Sequence, residues 1–245
     1  MTFYIMTHKD CALPQTPLYE AVGLGGFSSS STAHVDNARA GNIAHLNRFY
    51  CELTGLYHVW RHTRASQVGI CHYRRYFNLI ALPQAPTGLM SAPMGEAVLQ
   101  LLEHPQQEAR ASELLRTYDV ILPVAMYSQH GAGHDYVAAH GSREWDIFLQ
   151  VLDDYYGAEQ HGMRHERRNF YFNMMIARRS FFDHYCSHLF AVIDRVFEQV
   201  GEVPAVEGAR FQPFRYPGYL AERFMAAFIN VHRIRFYEAS VIVTE

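Results

Sequence analysis

Gln67-Val-Gly-Ile-Cys-His72 runs directly into Tyr73-Arg-Arg-Tyr-Phe77, and this stretch indicates the class of fold most clearly. Its first six residues are mainly apolar and include the β-branched Val68 and Ile70, which predicts a buried strand. Its last five combine aromatic and basic side chains. A buried strand that ends in such residues is typical of an α/β sheet, where ligands bind beyond the carboxyl ends of the strands.

Strand and helix patterns alternate along the rest of the chain and predict an α/β fold with a largely parallel, Rossmann-type sheet flanked by helices. Strands are predicted at residues 3–7, 67–72, 119–123, 169–177 and 234–243. Helices are predicted at residues 46–60, 96–102, 108–116, 144–156, 181–200 and 217–231. Segments 8–41 and 128–142 are rich in turn-forming or polar residues and are predicted to be loops. We expect a single domain over residues 1–245.

The composition is that of an ordinary globular protein, with 49% apolar and 18% charged residues. The net charge of -3 gives no reason to expect nucleic-acid binding. Four scattered cysteines indicate reduced thiols. The chain starts without a signal-peptide pattern and has no apolar run of about 20 residues, so we expect a cytoplasmic protein, with contact at the inner face of the membrane left open.

Basic and histidine side chains follow three of the predicted strands. Thr7-His8-Lys9 follow the first strand, His72 to Arg75 the second, and Arg178-Arg179 the fourth. Lys9 is also the only lysine in the chain. Because the carboxyl ends of parallel strands meet at one edge of a sheet, these residues predict a site for an anion such as a pyrophosphate.

The segment Tyr73 to Phe77 is the densest of these clusters. Arginine presents a planar fork of donors that matches phosphate oxygens, and aromatic rings can stack on a base. The alternative is that Arg74 and Arg75 pair with surface acids while the aromatic rings fill the core.

Four acids are candidates for a general base, namely Glu52, Asp36, Asp135 and Glu222. Glu222 lies in an almost wholly apolar predicted helix, where an unpaired carboxylate is costly, so it is either paired or retained for function. Asp135 lies in the His-rich segment 128–142. No Asp-x-Asp follows a predicted strand, so we assign no metal ligands, and the cofactor requirement is open between none and Mn²⁺ or Mg²⁺.

Several blocks resemble a bacterial capsular and exopolysaccharide glycosyltransferase family that was long catalogued as a domain of unknown function. Phe3-Tyr-Ile-Met-Thr-His-Lys9 is similar to Y-x-x-T-H-K. Tyr50-Cys-Glu-Leu-Thr-Gly-Leu-Tyr-His-Val-Trp60 is similar to Y-C-E-L-T-x-L-Y-x-x-W. Gly69-Ile-Cys-His-Tyr-Arg-Arg-Tyr-Phe77 is similar to G-x-C-H-Y-R-R-Y-F, which is the most specific block. Weaker similarities at Asp36-Asn37, Asn42-Ile43 and Asn173-Met-Met-Ile176 extend the resemblance over most of the chain.

The resemblance implies a GT-A-like fold and transfer of a hexose, with galactofuranose as one candidate, from a UDP-sugar to an oligosaccharide or lipid-linked glycan. Glu52, Asp135 or Glu222 would act as the base or contact sugar hydroxyls. Two other functions stay open, a non-catalytic nucleotide-sugar or glycan-binding protein and a nucleotide-sugar hydrolase. The residues expected to bind the donor are Thr7, His8, Lys9, Asp36, Asn42, His72, Tyr73, Arg74, Arg75 and Asn173.

Overall fold

The computed structural model describes residues 1–80 and 88–244, and in these residues a large sheet is covered by helices on both faces. The described strands are β1 (Thr2–Thr7), β2 (Tyr19–Gly23), β3 (Thr32–Val35), β4 (Gln67–His72), β5 (Arg75–Asn78), β6 (Leu89–Ser91), β7 (Val120–Pro123), β8 (Met126–Tyr127), β9 (Arg168–Asn169), β10 (Met175–Arg178) and β11 (Phe236–Val243). The described helices are α1 (Asn47–Tyr50), α2 (Leu53–His62), α3 (Glu96–Leu102), α4 (Gln106–Thr117), α5 (Ala132–His140), α6 (Arg143–Tyr156), α7 (Arg179–Val200) and α8 (Tyr216–His232).

The sheet is mixed, with a parallel half and a half that contains antiparallel pairs. β1 runs parallel to β2 and to β4, and β2 runs parallel to β3. β10 is antiparallel to both β4 and β7, whereas β11 is parallel to β7 and β6 and antiparallel to β5. The predicted α/β class is confirmed, but the mostly parallel Rossmann-type sheet is not.

Successive residues of β1 point into two different cores. Tyr4 and Met6 pack with α2, α7 and α8, while Phe3 and Ile5 pack in the core that α3 and α4 cover. Since side chains alternate across a strand, a strand buried on both faces has no polar positions in its interior. This is why β1 and β4 were recognisable from sequence as short apolar runs.

The chain reverses direction immediately after β4. His72 pairs with Arg75 across a turn formed by Tyr73 and Arg74, and β5 then runs antiparallel to β11. Tyr76 and Phe77 are buried in the core beneath α3 and α4. The turn therefore holds Tyr73 and Arg74 at the edge of the sheet while the following aromatic pair anchors it.

Two local predictions were wrong because of tertiary contacts. The helix predicted at 46–60 is broken into α1 and α2 at Cys51, whose φ of +51° no helical residue adopts. The loop predicted at 128–142 contains α5, despite two glycines at its start. Gly133 is required there because a Cβ atom would lie 2.7 Å from the ring of Trp145. The short strands β2 and β3, inside the predicted loop 8–41, were also missed.

The predicted role of Arg178-Arg179 at the ligand-binding edge was also wrong. The strand predicted at 169–177 consists of β9, a 3-10 turn at Tyr171–Asn173 and β10, and β10 is antiparallel to its neighbours. Its carboxyl end therefore lies at the opposite edge of the sheet. There Arg178 pairs with Asp119, and Arg179 donates to the carbonyl of Ala65.

A buried carboxylate, Glu166, joins the segment before β9 to α8. Its side chain is 6% exposed and accepts hydrogen bonds from Arg168 and from Asn230. Burial alone would raise the pKa of Glu166, but the hydrogen bonds from Arg168 and Asn230 outweigh it and lower the pKa to about 2.

Replacing Glu166 by glutamine should lower the free energy of unfolding at pH 7 by about 3–5 kcal/mol, because Arg168 is left without a counter-charge. The pKa of Glu166 is lower in the folded state than its value of about 4.3 in the unfolded state. The ionised Glu166 side chain therefore stabilises the fold fully above the unfolded pKa, and this stabilisation is lost as the pH falls through the folded-state pKa. Urea denaturation at pH 7 and pH 3 measures both effects, with exposed Glu159→Gln as the control. An equal loss at both pH values would contradict this account.

Candidate functional site

Two adjoining clefts open at the carboxyl ends of β1 and β4. The larger, of about 480 Å³, is termed the carboxylate cleft because Glu52, Asp135 and Glu222 line it. The smaller, of about 350 Å³, is termed the basic cleft because four arginines line it. Both clefts share one wall, which consists of Cys51, Glu52, His72, Arg75 and Arg215.

The sheet register brings this wall together. Met6 of β1 pairs with His72 of β4, so the two strands end at the same level. The antiparallel β10 starts at this edge, which places Asn173 beside the wall. The Asn173 Nδ2 donates to Glu52 Oε1 at 2.7 Å and to the carbonyl of Gly218 at 3.1 Å. Asn173 thereby fixes Glu52, at the start of α2, relative to α8.

Backbone strain is concentrated around the wall. Among the described non-glycine residues, four have a positive φ, and three of these, Cys51, Phe172 and Asn173, are at the site. Such conformations cost about 1–3 kcal/mol each and persist where the surroundings impose them, often at functional sites. The carbonyl of Cys51 accepts from Asn47 Nδ2 at 2.8 Å, which helps to hold its strained conformation.

His72 and Arg75 are held from the opposite side by Phe172. The His72 Nε2 lies 2.5 Å from the Phe172 carbonyl, which can only accept, so this nitrogen carries the hydrogen. Burial lowers the pKa of His72, with Glu52 opposing the effect, and the ring is therefore neutral near pH 7. The guanidinium of Arg75 lies over the Phe172 ring, 4.4 Å from its centroid.

The basic cleft carries an excess of positive charge. Its lining includes four arginines against the single carboxylate of Glu52, an excess of three. In residues 1–80 and 88–244 none of the four forms an ion pair with a carboxylate. Among the described residues Arg74 and Arg75 therefore do not pair with surface acids, while Tyr76 and Phe77 do fill the core, as that alternative expected. The four arginines are Arg48, Arg74, Arg75 and Arg215.

Arg75 is the more buried of the two arginines in the shared wall. Burial lowers the pKa of Arg75, and the nearby Glu52 carboxylate opposes this. Its Nε is shielded from solvent and lacks a hydrogen-bond partner among the described residues. A buried donor without a partner is costly, so Arg75 is prepared to donate to a ligand oxygen in either cleft.

Glu222 is a largely buried acid of the carboxylate cleft. Its side chain is 15% exposed, its Oε1 accepts from the Phe172 backbone N–H at 2.8 Å, and its Oε2 accepts from Arg223 Nη1 at 2.7 Å. Burial raises the pKa of Glu222, and Arg223 offsets this in part. A carboxylate whose pKa is raised is a stronger base when it is ionised.

Asp135 lies in the first turn of α5 on the opposite side of this cleft. Its side chain is 37% exposed, and Asn169 Nδ2 contacts it weakly at 3.4 Å. The carboxylate is thus accessible to a ligand in the cleft.

Aromatic rings line the outer part of the carboxylate cleft. Tyr219 stacks on His140 with ring centroids 4.2 Å apart, and Phe211 contacts both rings edge-on. Such a surface suits the apolar face of a sugar ring, with nearby polar groups fixing its orientation.

The thiol of Cys51 does not provide a nucleophile at neutral pH. Burial, together with the charge of Glu52, raises the pKa of Cys51 to about 12, so the thiol is protonated. Its sulfur accepts from Arg215 Nε at 2.9 Å. Cys51 therefore positions Arg215 in the shared wall.

The structure brings most of the predicted site residues together. Glu52, His72 and Arg75 line both clefts, Asp135 and Glu222 line the carboxylate cleft, and His8, Tyr73 and Arg74 line the basic cleft. Asn173 supports Glu52 from behind.

Five predicted donor-binding residues are not among the described lining of either cleft, namely Asn173, which supports Glu52, and Thr7, Lys9, Asp36 and Asn42. The Thr7 hydroxyl donates to the Lys9 carbonyl, and Lys9 Nζ lies 5.2 Å from the Tyr73 centroid. The buried Asp36 carboxylate accepts from the N–H groups of Gly25 and Gly26, so this glycine loop has no free cradle for a phosphate. Asn42 caps a turn through the Arg39 carbonyl.

Segment 210–219 also contributes to the carboxylate cleft and was not predicted as part of the site. Arg210, Phe211, Arg215 and Tyr219 all line the carboxylate cleft. The segment mixes arginines with aromatic residues, as the Tyr73 to Phe77 segment does. That shared composition was a usable signal, but no predicted strand placed it at the sheet edge.

Within the parts of the chain that are described, the carboxylates of the clefts do not form a group of three ligands within 4.8 Å. A divalent ion here would therefore have to recruit Glu52, Asp135 or Glu222 by movement, or share them with the oxygens of a bound diphosphate. No helix in the same residues is long and apolar enough to cross a membrane.

Comparison with known proteins identifies relatives at the level of family and fold. Residues 2–233 match a family described as Domain of unknown function (DUF4422). The apo structure of the bifunctional glycosyltransferase WbbM superposes with a TM-score of 0.83 and 20% sequence identity, over 100% of this chain. This chain spans 45% of the length of that chain. No curated protein matches the sequence.

Proposed function

Since the chain belongs to the family described as Domain of unknown function (DUF4422), whose activity that description leaves open, we propose that it is a glycosyltransferase. It transfers a hexose from a UDP-sugar to a glycan acceptor. The observation that carries the proposal is the pair of clefts with a common wall. The basic cleft has four arginines and one carboxylate, and the carboxylate cleft has three carboxylates, four arginines and several aromatic rings. The likeness in fold to a bifunctional glycosyltransferase is consistent with it.

The basic cleft is the site for the diphosphate of the donor. Four guanidiniums that have no carboxylate partner among the described residues supply charge-assisted hydrogen bonds to phosphate oxygens, and Tyr73 offers a ring for stacking. His8, which follows β1, also lines this cleft. The basic cleft lies at the carboxyl ends of β1 and β4, and ligands bind at such strand ends in open α/β sheets. The donor of a GT-A-like enzyme would bind in this region.

The sugar then extends from the basic cleft past the shared wall into the carboxylate cleft. Glu52 is at the wall, where it accepts a hydrogen bond from a donor-sugar hydroxyl. The acceptor glycan enters over the aromatic rings of His140, Phe211 and Tyr219. Both substrates thereby meet beside Arg75.

Glu222 is the general base of the transfer. It lines the carboxylate cleft but not the basic cleft, so it can contact an acceptor hydroxyl that attacks the anomeric carbon from the face opposite the leaving diphosphate. Glu222 takes the proton of the acceptor hydroxyl, whose oxygen forms a bond to the anomeric carbon as the bond to the diphosphate breaks. UDP leaves with the electron pair, and Arg75 and Arg215 stabilise its charge.

The pathway and cofactor are part of the same proposal. The acceptor is an oligosaccharide or a lipid-linked glycan of capsule, exopolysaccharide or O-antigen synthesis, which would bring the protein to the inner face of the membrane. Galactofuranose is one candidate for the transferred hexose. Arginines supply charge at the diphosphate whether or not Mn²⁺ or Mg²⁺ binds beside them, and turnover in EDTA against added Mn²⁺ separates the two cases.

Calorimetry with UDP, UMP and uridine tests the donor site. The proposal predicts that UDP binds more tightly than UMP, and UMP more tightly than uridine, because the diphosphate makes most contacts with the four arginines. Affinity for UDP should also fall with increasing salt. Equal affinity for UDP and uridine would contradict a diphosphate site in the basic cleft.

Replacing Tyr219 by alanine should raise the KM for the acceptor by about 3- to 10-fold, since aromatic stacking contributes about 0.5–1.5 kcal/mol. The Kd for UDP should stay unchanged, because Tyr219 does not line the basic cleft. Tyr219→Phe is the matched control and should retain the KM of the original protein. A change in UDP affinity with an unchanged acceptor KM would reverse the assignment of the two clefts.

A further inference from the structure

Three histidines converge where α7 packs against α8, away from both clefts. His184 and His188 are one helical turn apart on α7, and His232 is the last residue of α8. His232 lies ten residues beyond Glu222 along α8, which corresponds to about 15 Å at 1.5 Å per residue. None of the three lines either cleft.

The three imidazoles face one another at short range. Within residues 1–80 and 88–244 they form a group in which one ring nitrogen from each residue lies within 4.8 Å of the others. Their ring centroids are 4.7, 4.8 and 5.0 Å apart. A tetrahedral zinc ion with Zn–N bonds of about 2.0–2.1 Å needs nitrogens about 3.4 Å apart, so small rotations of the rings would complete the site.

Neighbouring side chains contact all three rings and already orient that of His188. The Tyr156 hydroxyl lies 3.0 Å from His188 Nδ1, which leaves His188 Nε2 for another partner. Phe228, fully buried, contacts all three imidazoles and forms the floor of the cluster. A hydrogen bond to the second ring nitrogen is the usual arrangement around a metal-binding histidine.

His232 provides an independent observation. Its Nε2 is shielded from solvent and has no hydrogen-bond partner in the described part of the chain. A shielded nitrogen without a partner, beside two more imidazoles, indicates a missing ligand.

We propose that His184, His188 and His232 form a binding site for one divalent transition-metal ion, of which Zn²⁺ is the probe of choice. Three imidazoles suit zinc, nickel, copper and cobalt and disfavour Mg²⁺ and Ca²⁺. Water fills the remaining coordination position. The ion joins the end of α8 to the middle of α7, so its role is to stabilise the packing of these helices, and the site is separate from the proposed transfer reaction.

Calorimetric titration of the metal-free protein with Zn²⁺ tests the site. We expect one Zn²⁺ per chain, with Mg²⁺ giving no heat. Zn²⁺ at about 100 times its Kd should raise the melting temperature by about 5–10 °C. His184→Ala should weaken Zn²⁺ binding by at least about tenfold. Because His184 is exposed, this variant is expected to fold.

His45→Ala is the matched control, since His45 is exposed and outside the cluster. It should keep the affinity and the thermal shift. A triple alanine variant at positions 184, 188 and 232 should lose both, and circular dichroism without metal checks that it folds. Absence of Zn²⁺ binding, or binding of equal strength and stoichiometry in a folded triple variant, would overturn the proposal. Should the triple variant not fold, His184→Gln with undiminished Zn²⁺ affinity would overturn it too.

Discussion

Replacing Glu222 by glutamine is expected to lower kcat about 100- to 10,000-fold, because the variant cannot accept the proton of the acceptor hydroxyl. Glutamine keeps the size of the side chain and retains an oxygen for the Phe172 N–H or for Arg223. UDP affinity should change little, because Glu222 does not line the basic cleft. The expected effect is thus on the chemical step and not on donor binding.

The pH profile provides a second readout for Glu222. A general base works only when it is ionised, so kcat/KM should fall about tenfold per pH unit below the pKa of Glu222. Since burial raises this pKa, the acidic limb should lie above the ordinary glutamate value of about 4.3. In Glu222→Gln this limb should be absent.

Controls separate the role of Glu222 in the reaction from its role in the fold. Glu198→Gln removes an exposed acid of α7 outside both clefts and should retain full activity. Glu222→Gln removes the counter-charge of Arg223, so the fold of this variant has to be checked. Calorimetry with UDP provides that check. An active variant with an unchanged acidic limb would assign the base to Glu52 or Asp135 instead.

Replacing Arg75 by alanine is expected to lower kcat/KM by about 100- to 1,000-fold, the usual effect of removing one donor that stabilises developing negative charge. Arg75 is in the wall common to both clefts, is partly desolvated, and has no hydrogen-bond partner for its Nε in the described part of the chain. UDP affinity, measured by calorimetry, should fall in parallel, because the diphosphate carries this charge before and after transfer.

Arg75→Lys and Arg116→Ala are the controls for this variant. Lysine keeps the charge but not the planar fork, so activity should recover only in part. Arg116 is an exposed arginine of α4 outside both clefts, and its removal should have no effect. If Arg75→Ala leaves UDP binding unchanged, the assignment of the diphosphate to the basic cleft is wrong.

Sequence periodicity was sufficient for the elements that bury apolar residues regularly. The strand at β4 and the helix at α3 were predicted at the bounds observed, because their own side chains define them. The break at Cys51 depends on Asn47 and on contacts with α8, and the direction of β10 depends on pairing with β4 and β7. Neither the helix break at Cys51 nor the direction of β10 produces a periodic pattern in the sequence.

The site was predictable where its residues follow β1 and β4 directly. His8, His72, Arg74 and Arg75 were found because a strand end predicts the sheet edge. Arg215 was not, because it follows a long segment and reaches the wall only through the start of α8 and a hydrogen bond to Cys51. Asp36 was expected at the donor site, yet it holds the loop at Gly25 and Gly26.

The matches to a family and to a fold support the resemblance drawn from the sequence blocks, while the roles of the individual motifs stay predictions. Because the identity to WbbM is only 20%, the superposition shows a shared fold and does not show shared site residues. The roles assigned to Glu222 and Arg75 therefore depend on the geometry of the two clefts.

The most direct test of sugar transfer is to incubate the purified protein with a panel of UDP-hexoses and oligosaccharide or lipid-linked acceptors. UDP release and glycosylated product are measured together, the latter by mass spectrometry. The proposal predicts UDP release that requires an acceptor, matches the product mole for mole and is lost in Glu222→Gln. UDP release to water alone would identify a hydrolase, and binding of UDP-sugars without turnover across the panel would identify a binding protein, so either result would contradict a transferase.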